Sequence, residues 1–330
     1  MRGLSLALLI AIILPLCVPL VTGERSGEKP LIVVSLEPLA SIVREVVLDR
    51  ADVLVIVPEG VEPHTYQAPP EVLEAAKRAD LFVTTAHLSV EEQVSEITEA
   101  PVIGLEDYKR HGLKLIPVPG RGGENIHGFW LDPDNALAIA KAVEEAMERI
   151  DPEEAQVYRA ALANFERKIE SLKELIGSFS EERQLRAVKA VVAVPAEAYL
   201  VNALGMIPVN SLGIGPGTLI GASELMELGR AIERGEVTVI VVSELSEHLE
   251  PGQMAEELVA EHGGTLLRLR IMQKGSMSYD ALWTWNLGLI EAQMRSSCGA
   301  SGSGWAVANC IVFSSLVVLA GMAVVLWKIS

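Results

Sequence analysis

The chain has 330 residues and a formal net charge of −17, which excludes the clustered basic surface of a nucleic-acid binder. Its mean hydropathy of +0.32 partly reflects two uncharged apolar runs near its ends. The three cysteines, Cys17, Cys298 and Cys310, all fall outside the expected folded body, so that body has no disulfide and no thiolate metal site.

In chain order, Arg2 precedes an apolar run from Leu4 to Val21 and then Thr22-Gly23-Glu24, the pattern of a secretory signal peptide over residues 1–23. Cys17 follows Pro15-Leu16, a poor lipid-attachment context, so an N-terminal lipid anchor is not expected. Residues 29–150 alternate strand-like and helical patterns, with strands expected at 31–36, 53–57, 81–85 and 101–105, and such alternation implies a parallel sheet. Ligands of open α/β sheets bind beyond the carboxyl ends of the strands. His64 lies there, on a loop stiffened by Pro58, Pro63, Pro69 and Pro70. His87 directly follows the third strand and lies on the same edge. From Asp151, the positions Ala155, Tyr158, Leu162, Phe165, Ile169, Leu172 and Ile176 recur at intervals of three and four. This predicts one helix over 151–180, roughly 40 Å long at about 1.5 Å per residue, with a partner helix of a coiled coil as the alternative.

Residues 187–296 repeat the βα pattern, with strands expected at 190–194, 207–212, 237–243 and 265–270. The stretch 213–221, GIGPGTLIG, reads as a loop and lacks the Lys-Ser/Thr pair of a phosphate cradle. Residues 297–304 form a flexible tether of small residues. An uncharged run from Trp305 to Trp327, followed by Lys328, predicts a transmembrane anchor over 305–328 with its C-terminus in the cytoplasm. The fold class is therefore α/β, with two parallel-sheet βα lobes joined by one long helix, between a signal peptide and a C-terminal membrane helix. No nucleophile elbow and no HExxH helix occurs, so catalysis is not expected.

The motifs EGVEPHTYQAPP and AKRADL, with Pro38-Leu-Ala-Ser-Ile-Val upstream and IHGFWLDPDN downstream, resemble the metal-binding lipoprotein family. These are extracytoplasmic solute-binding proteins of zinc and manganese ABC importers. The resemblance implies a divalent metal, zinc or manganese, held between two lobes by His64 and His127 and passed to a permease with its cytoplasmic ATPase. It implies a monomer, and with the terminal run a single-pass cell-membrane protein whose body is extracytoplasmic. His127 stands three residues before Trp130, where the family pattern has two. No histidine-rich tract fills 109–128, where only His111 precedes His127.

The second half departs from the pattern. Aligned on Tyr199 and Gly205, the third ligand position holds Val194, and the fourth, usually an aspartate after the last strand, holds Arg270. The expected donors are therefore His64 and His127, helped by some of His87, Glu197 and Glu244. Imidazole with carboxylate suits zinc, manganese or ferrous iron. Two alternatives stand beside this: a cleft in which Arg270 pairs with an anion or an anion–metal complex, and an adhesion module with a vestigial site.

Overall fold

The structure, a computed structural model, describes residues 29–215 and 217–300. The first lobe is built from β1 (Leu31–Val34), α1 (Glu37–Val47), β2 (Asp52–Val55), α2 (Pro70–Ala76), β3 (Leu81–Val83), α3 (Ser89–Ile97), β4 (Val102–Ile103), α4 (Leu105–Arg110) and α5 (Pro133–Ile150). Its four strands are all parallel, in the order β2-β1-β3-β4. β1 and β3 are short apolar runs buried almost throughout, as expected of parallel strands covered by helices.

A short 3-10 turn (Pro152–Glu154) leads into α6 (Ala155–Glu182), the 28-residue helix that the three-and-four spacing predicts. Its stripe of Tyr158, Phe165, Ile169, Leu172 and Ile176 is buried against α1 and α5. Further on it meets α10 (Tyr279–Ala300), which itself packs on the second sheet.

The second lobe contains β5 (Lys189–Val192), α7 (Ala198–Ala203), β6 (Ile207–Ser211), α8 (Ala222–Glu233), β9 (Val239–Ser243), α9 (Glu250–His262) and β10 (Thr265–Leu269). Its parallel sheet runs β10-β9-β5-β6. The stretch expected as a loop at 213–221 instead holds two short antiparallel strands, β7 (Gly213–Gly215) and β8 (Thr218–Leu219). Side chains of this sheet alternate between two cores. Val191, Ala193, Ile240 and Val242 meet α8 and α9 through Leu228, Ile232, Ala255 and Leu258. Ala190, Val192, Val239 and Val241 face the large core, which is continuous with that of the first lobe.

Polar contacts also cross between the lobes. Gln273 Nε2 donates to Ser41 Oγ at 3.0 Å, Tyr279 Oη to the Leu131 carbonyl at 3.0 Å, and Tyr199 Oη to the Asn125 carbonyl at 2.5 Å. A shared core and buried cross-lobe bonds oppose wide opening, because separating the lobes would expose apolar area and strand buried polar groups.

Among the described residues, no helix is long and apolar enough to cross a membrane. The signal peptide expected at 1–23 and the anchor expected at 305–328 lie outside the described residues. α10 continues through Ala300, so the segment expected as a tether from 297 begins as helix.

Candidate metal centre between the lobes

A cavity of about 390 Å³ opens where the carboxyl ends of both sheets face each other. The first lobe contributes His64 from the loop after β2, His87 from the turn after β3, and His127 from the segment leading into α5. One nitrogen of each ring lies within 4.8 Å of the others, and the ring centroids are 5.6, 5.4 and 4.9 Å apart. Three nitrogens bound to one zinc at 2.0–2.1 Å would stand roughly 3.3 Å apart. Small rotations of the rings therefore close the distance.

Each imidazole is placed by a separate local device. The His64 amide donates to Glu62 Oε1 at 3.2 Å within the proline-fenced loop. His87 sits on a turn held by Glu91, a buried carboxylate three residues into α3. Glu91 accepts from the Thr85 amide (2.6 Å) and hydroxyl (2.8 Å), and from the amides of His87 and Leu88 (2.9 Å each). Inside that turn Ala86 takes the left-handed region, with φ of 63°, its amide bound to Thr84 Oγ1 at 2.8 Å. The Thr85 carbonyl oxygen lies 3.3 Å from His87 Nδ1. A carbonyl can only accept, so Nδ1 carries the proton and Nε2 keeps its lone pair for a metal.

His127 depends on its neighbours on both sides. Its amide donates to Asn125 Oδ1 at 3.1 Å, and the Asn125 amide group donates to the Pro195 carbonyl at 2.8 Å, which ties the His127 segment to the second lobe. Gly128 follows with φ of 79°, and a Cβ there would stand 2.6 Å from the Ala196 carbonyl oxygen. This glycine, one of the two residues between His127 and Trp130, turns the chain into a 3-10 turn at Phe129–Leu131. Asp132 then caps α5, accepting from the amides of Asp134 and Asn135 at 2.9 and 3.2 Å, with Pro133 in the first turn.

Burial lowers the pKa of His87, although the nearby Glu91 charge pulls the other way. For His127, burial and then the neighbouring His87 and His64 bring it down to about 4. Both rings are thereby held neutral, the form that binds metal.

The structure does not bring Glu197 or Glu244 to these rings. Glu197 is fully buried, and its four bonds come from the amides of Ala193 (2.8 Å) and Val194 (3.1 Å) and the hydroxyls of Ser243 (2.7 Å) and Ser246 (2.5 Å). It fastens the end of β5 to the turn after β9. Burial outweighs these donors and raises its pKa to about 7. Glu244 is likewise committed, accepting from the Ile271 amide (3.0 Å) and the Met272 amide (2.8 Å). Arg270 does not line the cavity; its guanidinium stands 4.0 Å from Glu244. The second-lobe wall is instead mainly apolar, with Val194, Leu245, Pro251, Ile271 and Met272, and carries Thr218 and the exposed Glu250 beside them.

The other three histidines lie elsewhere. His111 meets Glu145 at 2.8 Å, His262 meets Glu233 at 2.8 Å, and His248 is exposed. Sequence reasoning missed three positioning residues: Glu91, Asn125 and Gly128. For Glu91 a signal was present, since a glutamate at the third position of a helix commonly reaches back to the backbone before it.

Two α/β lobes closed around a cavity at their facing strand ends, with clustered imidazoles on one wall, define a two-lobed binding protein. The chain belongs to the family described as zinc-uptake complex component A, periplasmic, whose model matches residues 32–292. It is 28% identical over 173 residues to the manganese-binding lipoprotein MntA of Halalkalibacterium halodurans, an alignment covering 51% of this chain and 55% of that protein. It is 22% identical over 262 residues to the high-affinity zinc uptake system protein ZnuA of Bacillus subtilis, covering 73% of this chain and 79% of that protein. A crystal structure of ZnuA shares the fold, with a TM-score of 0.65 and 22% identity, over 82% of this chain and 99% of that one. The match to MntA thus spans about half of that relative's length.

Proposed function

We propose that this chain captures a divalent metal ion in the inter-lobe cavity, on His64, His87 and His127, and delivers it to an ABC importer. The observation that carries this reading is the convergence of three imidazole nitrogens within 4.8 Å of one another. Support for the transport role comes from family membership and from relatives named as zinc and manganese uptake proteins. The permease and its ATPase would be the partners. The body, from the lobe at 29–150 through the helix at 151–180 to the lobe at 187–296, would stand outside the cytoplasmic membrane. The signal peptide would direct its export, and the apolar run at 305–328 would hold it there. Catalysis has no part in this reading.

Three neutral nitrogen donors without a carboxylate favour zinc over manganese, because manganese prefers oxygen ligands. Calorimetry of the untagged chain should show zinc bound at least about tenfold more tightly than manganese, roughly 1.4 kcal/mol. His64→Ala should remove most of that zinc affinity. Unchanged zinc binding in this variant would overturn the reading.

A further inference from the structure

The histidine cluster supplies three neutral donors and no compensating charge. Among the described residues no carboxylate oxygen joins it. Two carboxylates border the cavity: Glu62 accepts the His64 amide, and Glu250 stands exposed at the start of α9. A four-coordinate zinc on three imidazoles keeps one position open, and that position faces the second lobe. The wall there is Val194, Leu245, Pro251, Ile271 and Met272. A bare hydrated ion would turn its waters and its uncompensated charge toward that apolar surface, which is costly. The space is also too large for an ion and one or two waters. About 390 Å³ lies in the size range of pockets for small organic molecules.

We propose that the cargo is a metal chelate: one divalent ion bound to a small anionic chelator with a compact apolar body. The three imidazoles take one face of the ion, and the chelator keeps its donors on the other. Its negative charge offsets that of the metal, and its apolar body lies on the second-lobe wall. This inference rests on the metal-binding reading above and names the form in which the metal arrives.

Picolinate, a bidentate anion with one aromatic ring, is a suitable probe. The whole chain, purified without an affinity tag, is dialysed to equilibrium against zinc chloride, sodium picolinate, or an equimolar mixture, and retained zinc and picolinate are both measured. We expect picolinate to be retained, one per chain, only when zinc is present. Zinc should be held at least tenfold more tightly from the mixture than alone. His64→Ala should release both together. Val194→Glu, which places a carboxylate on the half-buried wall, should tighten binding of zinc alone and abolish retention of picolinate. Zinc retained without picolinate from the mixture would overturn the chelate inference and leave the metal-binding reading standing. So would a Val194→Glu variant that retains picolinate as the parent does. Picolinate retained without zinc would overturn the chelate inference alone, and zinc retained from neither zinc chloride nor the mixture would overturn both.

Discussion

The two lobes are built on the same plan and differ in what they present to the cavity. Read from the first strand of each lobe, the order β2-β1-β3-β4 is matched by β6-β5-β9-β10. Each lobe also holds a loop at its sheet edge with a buried glutamate that accepts four bonds. Glu91 gathers the Thr85, His87 and Leu88 amides and the Thr85 hydroxyl; Glu197 gathers the Ala193 and Val194 amides and two serine hydroxyls. The loop held by Glu91 carries His87, whereas the loop held by Glu197 ends in Val194. The clamping device is therefore independent of the ligand it presents. A carboxylate close to a binding edge can be part of the scaffold and contribute no donor to the cavity.

The largest effect should come from the first lobe's donors. His127→Ala should weaken zinc binding at least about a hundredfold, roughly 2.8 kcal/mol, by calorimetry. A comparable loss on replacing any second-lobe side chain would break the asymmetry between the lobes. The two glutamates test it more finely. Glu91→Gln should weaken zinc binding by about 10- to 100-fold, the range seen when a group orienting a metal ligand is changed. Glu197→Gln should leave zinc affinity within about twofold, although its four donors are equally buried. Equal losses in the two variants would mean that Glu197 acts on the metal after all.

Much of this plan was legible in the sequence. Short apolar runs such as 81–85 between helical patterns mark parallel strands, and the three-and-four spacing from Ala155 to Ile176 marks α6. His64 and His87 could be placed on one edge because strand ends and loops fix where a side chain begins, whereas His127 was placed beside them by the family resemblance alone. The direction in which a carboxylate turns could not be read in the same way. Glu244 directly follows β9 and so had the position of a ligand, yet the amides of Ile271 and Met272, from a distant strand end, claim its oxygens. Arg270 likewise stands where the family pattern has a ligand, and its place beside Glu244 depends on the same meeting of strand ends. Such contacts are set by tertiary packing, and no spacing rule reports them.

Gly128 joins the lobes sterically, and its replacement should have a smaller effect. An alanine there must hold a positive φ and place a methyl carbon against the Ala196 carbonyl of the second lobe. Gly128→Ala should lower stability by about 1–3 kcal/mol, read as a shift in the denaturation midpoint. A neutral result would show that the lobes can separate slightly at this seam without penalty.

A last contrast between the lobes is read through pH, in the metal-free chain. Burial lowers the His127 pKa to about 4, against roughly 6.5 in the unfolded chain. Between those values the unfolded state binds the extra proton, so this group makes stability rise with pH from about 4 to 6.5. Burial raises the Glu197 pKa to about 7, against roughly 4.3 unfolded. There the folded state binds the extra proton, so stability contributed by Glu197 is present at low pH and falls as pH rises from about 4.3 to 7. Over the shared window the two slopes oppose each other, each with a ceiling of about 1.4 kcal/mol per pH unit for one proton. Removing one should uncover the other. Relative to the parent chain, His127→Gln should lose stability as pH rises from 4.5 to 6.5, and Glu197→Gln should gain it. Denaturant titrations at a few pH values across this window would measure both differences. Slopes of the same sign would mean that one of these two groups is not in the protonation state its burial demands.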